Sequence, residues 1–156
     1  MNPSKESTQL EIVSTRTFDT QRERVYEAFE NPDHVVHWWG PKGFRNTFIE
    51  FDLRPGGTWR FVMHGPDGKD FQNEKKFIEV VKPERIVFKH LSQIFHNFQM
   101  TMTFDNQSGK TKLTWRMVFE SQAGNTNLKN FVTEANEQNF DRLEAYLNVP
   151  ERAGHR

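Results

Sequence analysis

The sequence predicts an α+β domain in which a seven-stranded antiparallel sheet curls around a long C-terminal helix, with two short helices after the first strand. Two observations predict it. Most of the predicted strands alternate apolar and polar side chains, so the sheet has one buried face and one solvated face. Only the segment 126–149 is a long amphipathic helix, so it must cover the buried face.

The chain begins with a strand and a helix. Residues 10–18, LEIVSTRTF, are rich in β-branched residues, which favours a strand. The period then changes, and three apolar side chains fall on one helical face (Val25, Ala28, Phe29). Asp19 or Thr20 would cap the start of this helix.

A second, shorter helix follows. Pro32 ends the first helix and fits the first turn of the second, with Asn31 as its N-cap. Gly40–Pro41 stops it directly after the adjacent Trp38 and Trp39. Two tryptophans at a helix end act either as structural plugs or as the wall of a binding site.

Six consecutive strands follow, which indicates an antiparallel meander. The turns between them include Gly-Gly, Asp-Gly and Ser-Gly pairs, which supply the positive φ that hairpins need. The predicted strands are 44–53, 58–65, 69–81, 85–91, 97–105 and 111–121.

The inward faces of these strands carry large, adaptable side chains, whereas the middle of the last helix is small or polar. This mismatch predicts either close packing or a cavity between sheet and helix, and methionine and aromatic walls suit a cavity that accepts varied shapes. The predicted lining consists of Trp38, Trp39, Trp59, Phe61, Met63, Phe88, His90, Met100, Met102, Trp115, Met117, Phe131, Ala135 and Asn139.

The strand at 69–81 has a mixed face. One face of this strand carries both polar and aromatic side chains, namely Asn73, Lys75 and Glu79 together with Phe71 and Phe77. Either this strand points polar groups inward, where they must be paired because a buried unpaired charge is costly, or the face belongs to an edge strand.

Composition excludes several function classes. The 21 basic and 21 acidic residues cancel, which argues against a nucleic-acid surface. Without cysteine, disulfides and thiolate sites are excluded. The polar N-terminus and the absence of a long apolar run predict a cytoplasmic protein with no membrane contact. We expect residues 1–8 to be disordered, 9–149 to form one domain, and 150–156 to be a tail.

Four segments resemble a known family. WWGPKGF (38–44), DLRPGGTWRFVMHGPDG (52–68), KPERIVF (82–88) and NFDRLEAYL (139–147) are similar to the chaperone-ATPase-activator-like branch of the START-related, birch-pollen-allergen-type superfamily. The resemblance spans roughly residues 10–148 and implies the START-like helix-grip fold, with a hydrophobic cavity between sheet and helix. It implies a structural plug for at least one of the two tryptophans, with the other facing the cavity or the surface.

The resemblance also implies three functions. The first is binding of a small hydrophobic or amphipathic ligand in the cavity. The others are a polyketide-cyclase-like enzyme that uses the same cavity, and a co-regulator that acts on a chaperone through its surface. Many members carry a Gly-Trp pair in the last helix where this chain has Ala135–Asn136, which changes the cavity wall.

The residues favour binding over catalysis. His90 is the best candidate acid or base, because it shares a strand face with Ile86 and Phe88. A buried, hydrogen-bonded histidine is the simpler interpretation. His34 and His37 have a zinc-compatible spacing but no third ligand, so a solvated helix face is expected. No Ser/His/Asp constellation appears. We therefore predict no metal site and no cofactor.

Overall fold

A computed structural model describes residues 10–91, 97–120 and 126–149. The predicted disordered N-terminus, 1–8, and the predicted tail, 150–156, lie outside the described residues. Ten elements follow in the predicted order: β1 Leu10–Phe18, α1 Arg22–Glu30, α2 Pro32–Trp38, β2 Arg45–Phe51, β3 Thr58–His64, β4 Asp70–Val81, β5 Arg85–Leu91, β6 Phe98–Gln107, β7 Lys110–Phe119 and α3 Thr126–Leu147.

The sheet confirms the predicted fold class. Its seven strands lie in the order β1-β7-β6-β5-β4-β3-β2, and every neighbouring pair is antiparallel. Strands β2 to β7 therefore form the predicted meander, while β1 returns to pair with β7. The edges of the sheet are β1 and β2, so β4 is an internal strand and the edge-strand interpretation of its mixed face is wrong.

The two short helices differ in how they begin. Asn31 caps α2 as predicted, because its side chain accepts a hydrogen bond from the backbone N–H of Asp33 at 2.9 Å. Helix α1 starts after Gln21, which makes no side-chain capping bond, so the expected cap at Asp19 or Thr20 is wrong. Burial of Val25, Tyr26, Ala28 and Phe29 against the sheet stabilises α1 instead.

Strand β4 changes face near its end. The register against β5 shifts between Phe77 and Glu79, which is a β-bulge at Ile78. Before the bulge, Asn73, Lys75 and Phe77 point inward; after it, Val80 packs against the core. The bulge therefore separates Glu79 from Lys75, and Glu79 forms an ion pair with Arg85 at 2.7 Å.

The core is dense under one half of α3 and open under the other. Phe140, Leu143 and Leu147, in the C-terminal half of α3, are buried against Phe18, Trp115 and the short helices. The N-terminal half presents the partly buried Leu128 and Val132 to the sheet. Within the described residues, no helix is long and apolar enough to cross a bilayer.

Candidate functional site

A cavity of about 260 Å³ lies between the N-terminal half of α3 and the inner face of the sheet. Strands β3 to β7 form its floor, the loop after α2 forms one wall, and α3 forms the roof. Most of the lining is aromatic, methionine or aliphatic, with Asn73, Lys75, His90, Asn136 and Asn139 as its polar residues.

Most of the predicted site residues lie in this lining. They are Trp39, Met63, Phe88, His90, Met100, Trp115, Met117, Phe131, Ala135 and Asn139. Phe131 stands at the rim, because it lines the cavity while 72 % of its surface is exposed.

The structure places the other four predicted residues in the core behind the lining. Trp38, Trp59, Phe61 and Met102 are buried but do not border the cavity. Trp59 and Phe61 point inward as predicted, but Trp39 and Lys75 lie close to them on the cavity side. Alternation gives the face of a strand but not the depth of a side chain beneath its neighbours.

The two adjacent tryptophans have different roles. The indole N–H of Trp38 donates to the carbonyl of Ala28 at 3.0 Å, and its ring packs edge-on against Phe29. Trp39 instead lies against Trp59 and Trp115, with ring centroids 4.9 and 5.4 Å away, and borders the cavity. Trp38 therefore fixes α2 on α1, and Trp39 belongs to the cavity wall.

Asn139 holds the loop after α2 against α3. Its side-chain oxygen accepts from the Gly40 N–H at 3.1 Å, and its NH₂ group donates to the Trp38 carbonyl at 2.9 Å. The guanidinium of Arg142 donates to the carbonyls of Trp39, Gly40 and Pro41 at 3.0–3.2 Å. Asn139 therefore positions the wall, since both of its polar atoms are already bonded to the backbone.

Gly40 is required where the loop meets the sheet. Its φ of 103° lies in the left-handed region, and an added Cβ would stand 2.7 Å from the terminal methyl group of Met63. A glycine at this position therefore lets the loop approach β3 closely.

Lys75 and His90 form the polar end of the cavity. Lys75 is only 3 % exposed, and its Nζ lies 3.0 Å from Nδ1 of His90 and 3.5 Å from Oδ1 of Asn73. The two residues face each other across β4 and β5 in register. The inward interpretation of β4 therefore applies to Asn73 and Lys75, and their polar groups are paired with neutral partners.

Aromatic rings surround the amine. The Nζ of Lys75 lies 5.2–5.7 Å from the ring centroids of Trp59, Phe61 and Phe88, within the range of cation–π attraction. Burial nevertheless lowers the pKa of Lys75 from 10.5 to about 7, because these groups replace only part of its hydration. Among the described residues, Lys75 has no carboxylate partner within ion-pair distance.

His90 remains neutral beside this amine. Burial first, and then the charge of Lys75, lower the pKa of His90 from 6.5 to about 3. Its ring stacks on Phe98 at a centroid distance of 4.8 Å. A neutral imidazole accepts a hydrogen bond from the Lys75 ammonium at Nδ1, which leaves its own hydrogen on Nε2.

Two other polar groupings lie away from the cavity. His34 hydrogen-bonds the hydroxyl of Tyr146 and His37 stacks on the same ring, so these histidines dock α2 on α3. No group of three potential metal ligands occurs in the described part of the chain.

The other grouping is a Thr–His–Asp relay on the outer face of the sheet, which the sequence did not reveal. His64 Nε2 lies 2.7 Å from the Thr47 hydroxyl, and His64 Nδ1 lies 2.8 Å from the Asp70 carboxylate. Thr47 and Asp70 are exposed side chains, and none of the three residues lines the cavity. The relay has the order of a nucleophile, a base and an orienting acid, but it is not set in a pocket that would hold a substrate.

The most informative residue absent from the predicted lining is Lys75. The alternation of β4 indicated its position, because Lys75 falls between Asn73 and Phe77 on one face of the strand. Other lining residues outside the prediction are Gly40, Pro41, Asn73, Phe98, Phe119, Leu128, Val132 and Asn136. Asn136 is fixed by a bond from its NH₂ group to the Ser14 hydroxyl at 3.1 Å.

Comparison with protein families gives one match. The model of the family described as "Activator of Hsp90 ATPase homolog 1-like protein" matches residues 19–148. That range holds every residue of the cavity lining. No curated protein matches the chain.

Comparison with solved structures supports the same fold. A protein from Arthrobacter aurescens aligns with a TM-score of 0.80 at 23% identity, covering 97% of this chain and 94% of its own. A protein from Chromobacterium violaceum aligns with a TM-score of 0.78 at 23% identity, covering 86% and 94%. The AHSA1 protein from Silicibacter pomeroyi aligns with a TM-score of 0.76 at 16% identity, covering 90% and 99%. At these identities the likeness concerns the fold alone.

Proposed function

The chain belongs to the Activator of Hsp90 ATPase homolog 1-like family, and we propose that it binds a small hydrophobic or amphipathic molecule in the cavity between the sheet and α3. The observation that carries this proposal is the cavity itself, whose volume of about 260 Å³ is bounded mainly by apolar side chains. Ligand sites are typically concave and apolar with a few convergent polar groups.

The chemistry of the walls supports the proposal. Met63, Met100 and Met117 border the cavity, and the flexible thioether side chain adapts to different shapes. Trp39 and Trp115 add large rigid surfaces. Lys75, His90 and Asn73 lie together at one place in the wall, whereas Asn136 and Asn139 bond to Ser14 and to the loop after α2. An elongated guest with one polar group therefore fits better than a uniformly apolar one.

The volume limits the size of the guest. It lies just below the roughly 300–1,000 Å³ that is usual for pockets that hold drug-sized ligands. One water molecule occupies roughly 30 Å³ in the liquid, so a volume of about 260 Å³ accommodates about nine non-hydrogen atoms.

Binding of a small probe, compared between the native chain and a variant whose cavity is filled by a larger side chain, tests the proposal. Octan-1-ol is a neutral probe of suitable size, and its binding should change the fluorescence of Trp39 and Trp115 in the cavity wall. Ala135→Trp places an indole in the cavity from α3 and should abolish the saturable change. Glu134→Trp, on the exposed side of the same helix, is the matched control and should retain it. If octan-1-ol gives no saturable signal with the native chain, the cavity does not bind small apolar molecules.

One observation favours a second function, an enzyme of the polyketide-cyclase type. Polar groups do converge on His90 inside the cavity, as such an enzyme would need. A general base works best with a pKa near the working pH, which describes Lys75 at about 7 rather than His90 at about 3. Exchange of the α-protons of a small β-diketone for deuterium, compared between the native chain and Lys75→Met, tests this function.

The third function, co-regulation of a chaperone through the surface, has less support. The large exposed apolar side chains of the described residues are Val13, Ile49, Ile78, Leu91 and Phe131. They lie on five elements, and Val13 and Ile49 occupy the opposite edge strands β1 and β2. This scatter does not form the continuous apolar patch that marks a stable protein interface.

A further inference from the structure

One of the described residues that line the cavity carries a charge. Among these described residues only Lys75 can be charged at neutral pH, since His90 is neutral and the others do not ionise. The elements packed around the amine are β3, β5 and the N-terminal half of α3. Their described residues nearest to it or facing it across the cavity are aromatic rings, asparagines and aliphatic side chains, and His90 is the titratable group among them.

The hydrogen bonds of Lys75 are incomplete. An ammonium has three N–H donors, of which His90 Nδ1 at 3.0 Å and Asn73 Oδ1 at 3.5 Å accept two. Lys75 lines the cavity, and no described residue accepts a hydrogen bond from the third donor. A buried cation that has a free donor and no counter-ion among the described residues is a costly arrangement unless a ligand completes it.

We propose that the cavity selects small monocarboxylic acids, whose carboxylate pairs with the Lys75 ammonium while the apolar chain lies against the methionine and aromatic wall. This inference rests on the proposed function and adds the class of ligand. A single positive charge in an apolar surrounding favours a single negative charge, so dianions such as phosphate monoesters are disfavoured.

His90 and Asn73 position the amine in this scheme. Their acceptor atoms face Nζ, so they would hold the ammonium towards the cavity without carrying charge themselves. The acid and the ammonium stabilise each other, so binding should raise the pKa of Lys75 and the protein should take up a proton when it binds an acid above pH 7.

Three probes of equal chain length separate charge from shape: octanoate, octan-1-ol and octylammonium. At pH 6 we expect calorimetry to give octanoate an affinity at least about tenfold above that of octan-1-ol, with octylammonium the weakest. Between pH 7 and pH 9 the affinity for octanoate should fall by up to about tenfold per pH unit, because the ammonium is lost. The affinity for octan-1-ol should not fall.

The number of protons taken up is a second readout that needs no variant. Titration of octanoate at pH 8 in buffers of different ionisation enthalpy should give an uptake approaching one proton, and octan-1-ol should give none. Lys75→Met should bind octanoate no more tightly than octan-1-ol at any pH, because the carboxylate then has no counter-ion. Lys76→Met, on the exposed face of the same strand, should behave as the native chain.

The outcomes distinguish the two proposals. If octan-1-ol binds and octanoate binds no more tightly at pH 6, or binds without proton uptake at pH 8, the cavity is a ligand site but Lys75 does not select acids. If neither probe binds, the proposed function fails together with this inference.

Discussion

Lys75→Met should stabilise the protein at neutral pH and reduce the pH dependence of its stability. Methionine has a similar length but no charge, so the variant keeps most of the packing and removes a buried cation. The expectation runs against the usual result, in which replacing a buried residue destabilises the fold.

The magnitude follows from the pKa of Lys75. Burial lowers it from 10.5 to about 7, so between these values the unfolded chain binds more protons than the folded chain, and the free energy of unfolding rises with pH. At about 1.4 kcal/mol per pH unit, keeping this amine buried costs about 4 kcal/mol at pH 7.5 and about 1–2 kcal/mol at pH 9.5. The native chain should therefore gain about 2–3 kcal/mol over this window relative to Lys75→Met.

His90 adds little to the pH dependence of the free energy of unfolding in this window. Its pKa of about 3 leaves it neutral in the folded chain, and the ordinary value of 6.5 leaves it almost neutral in the unfolded chain. Urea denaturation at pH 7.5, 8.5 and 9.5, followed by the fluorescence of the four tryptophans, measures the difference. Lys76→Met is the control, since its side chain is exposed on the neighbouring position of β4. If the native chain and Lys75→Met show parallel pH dependences, the buried-cation reasoning is refuted.

The remaining predictions concern the loop after α2. Asn139→Leu leaves the Gly40 N–H and a backbone carbonyl unpaired and should lower the free energy of unfolding by about 1–3 kcal/mol, whereas Gln138→Ala, whose contact is exposed, should change it by less than about 0.5 kcal/mol. Gly40→Ala should lower the melting temperature, because the positive φ and the contact with Met63 both oppose a Cβ; an unchanged melting temperature would contradict this. Arg142→Lys should also destabilise the fold, because lysine has one nitrogen where arginine uses Nη1 for the loop carbonyls and Nη2 for the His37 carbonyl. Full stability in thermal unfolding would show that the second nitrogen is not needed.

Periodicity predicted the fold because most of the strands have one clean apolar face. Residues 58–63 illustrate this, since Trp59 and Phe61 are buried while Arg60 is exposed. The six-strand meander followed from the Gly-containing turns, and the cover of the sheet from the single long amphipathic segment. Capping was less predictable, since Asp19 and Thr20 are good capping residues but α1 starts after Gln21.

The candidate site was predictable to the level of faces but not of depth. Trp59 and Trp115 were both expected to border the cavity, yet only Trp115 does, because Trp39 covers Trp59. The bulge at Ile78 also escaped prediction, and it decides that Lys75 and Glu79 do not meet. Depth and bulges depend on neighbouring strands, so they do not appear in the alternation of one segment.

The environment of Lys75 ties the cavity to its charge. On the internal strand β4, the amine cannot extend to water past the rings of Phe61 and Phe88, so the cavity is the free space beside it. A purely apolar guest would fill that space but would isolate the ammonium further from water, which offsets part of its contact energy. A carboxylic acid fills the same space and also neutralises the charge. The free energy lost by burying the Lys75 ammonium is thus the physical reason why the cavity would bind an acid more tightly than an alcohol of the same shape.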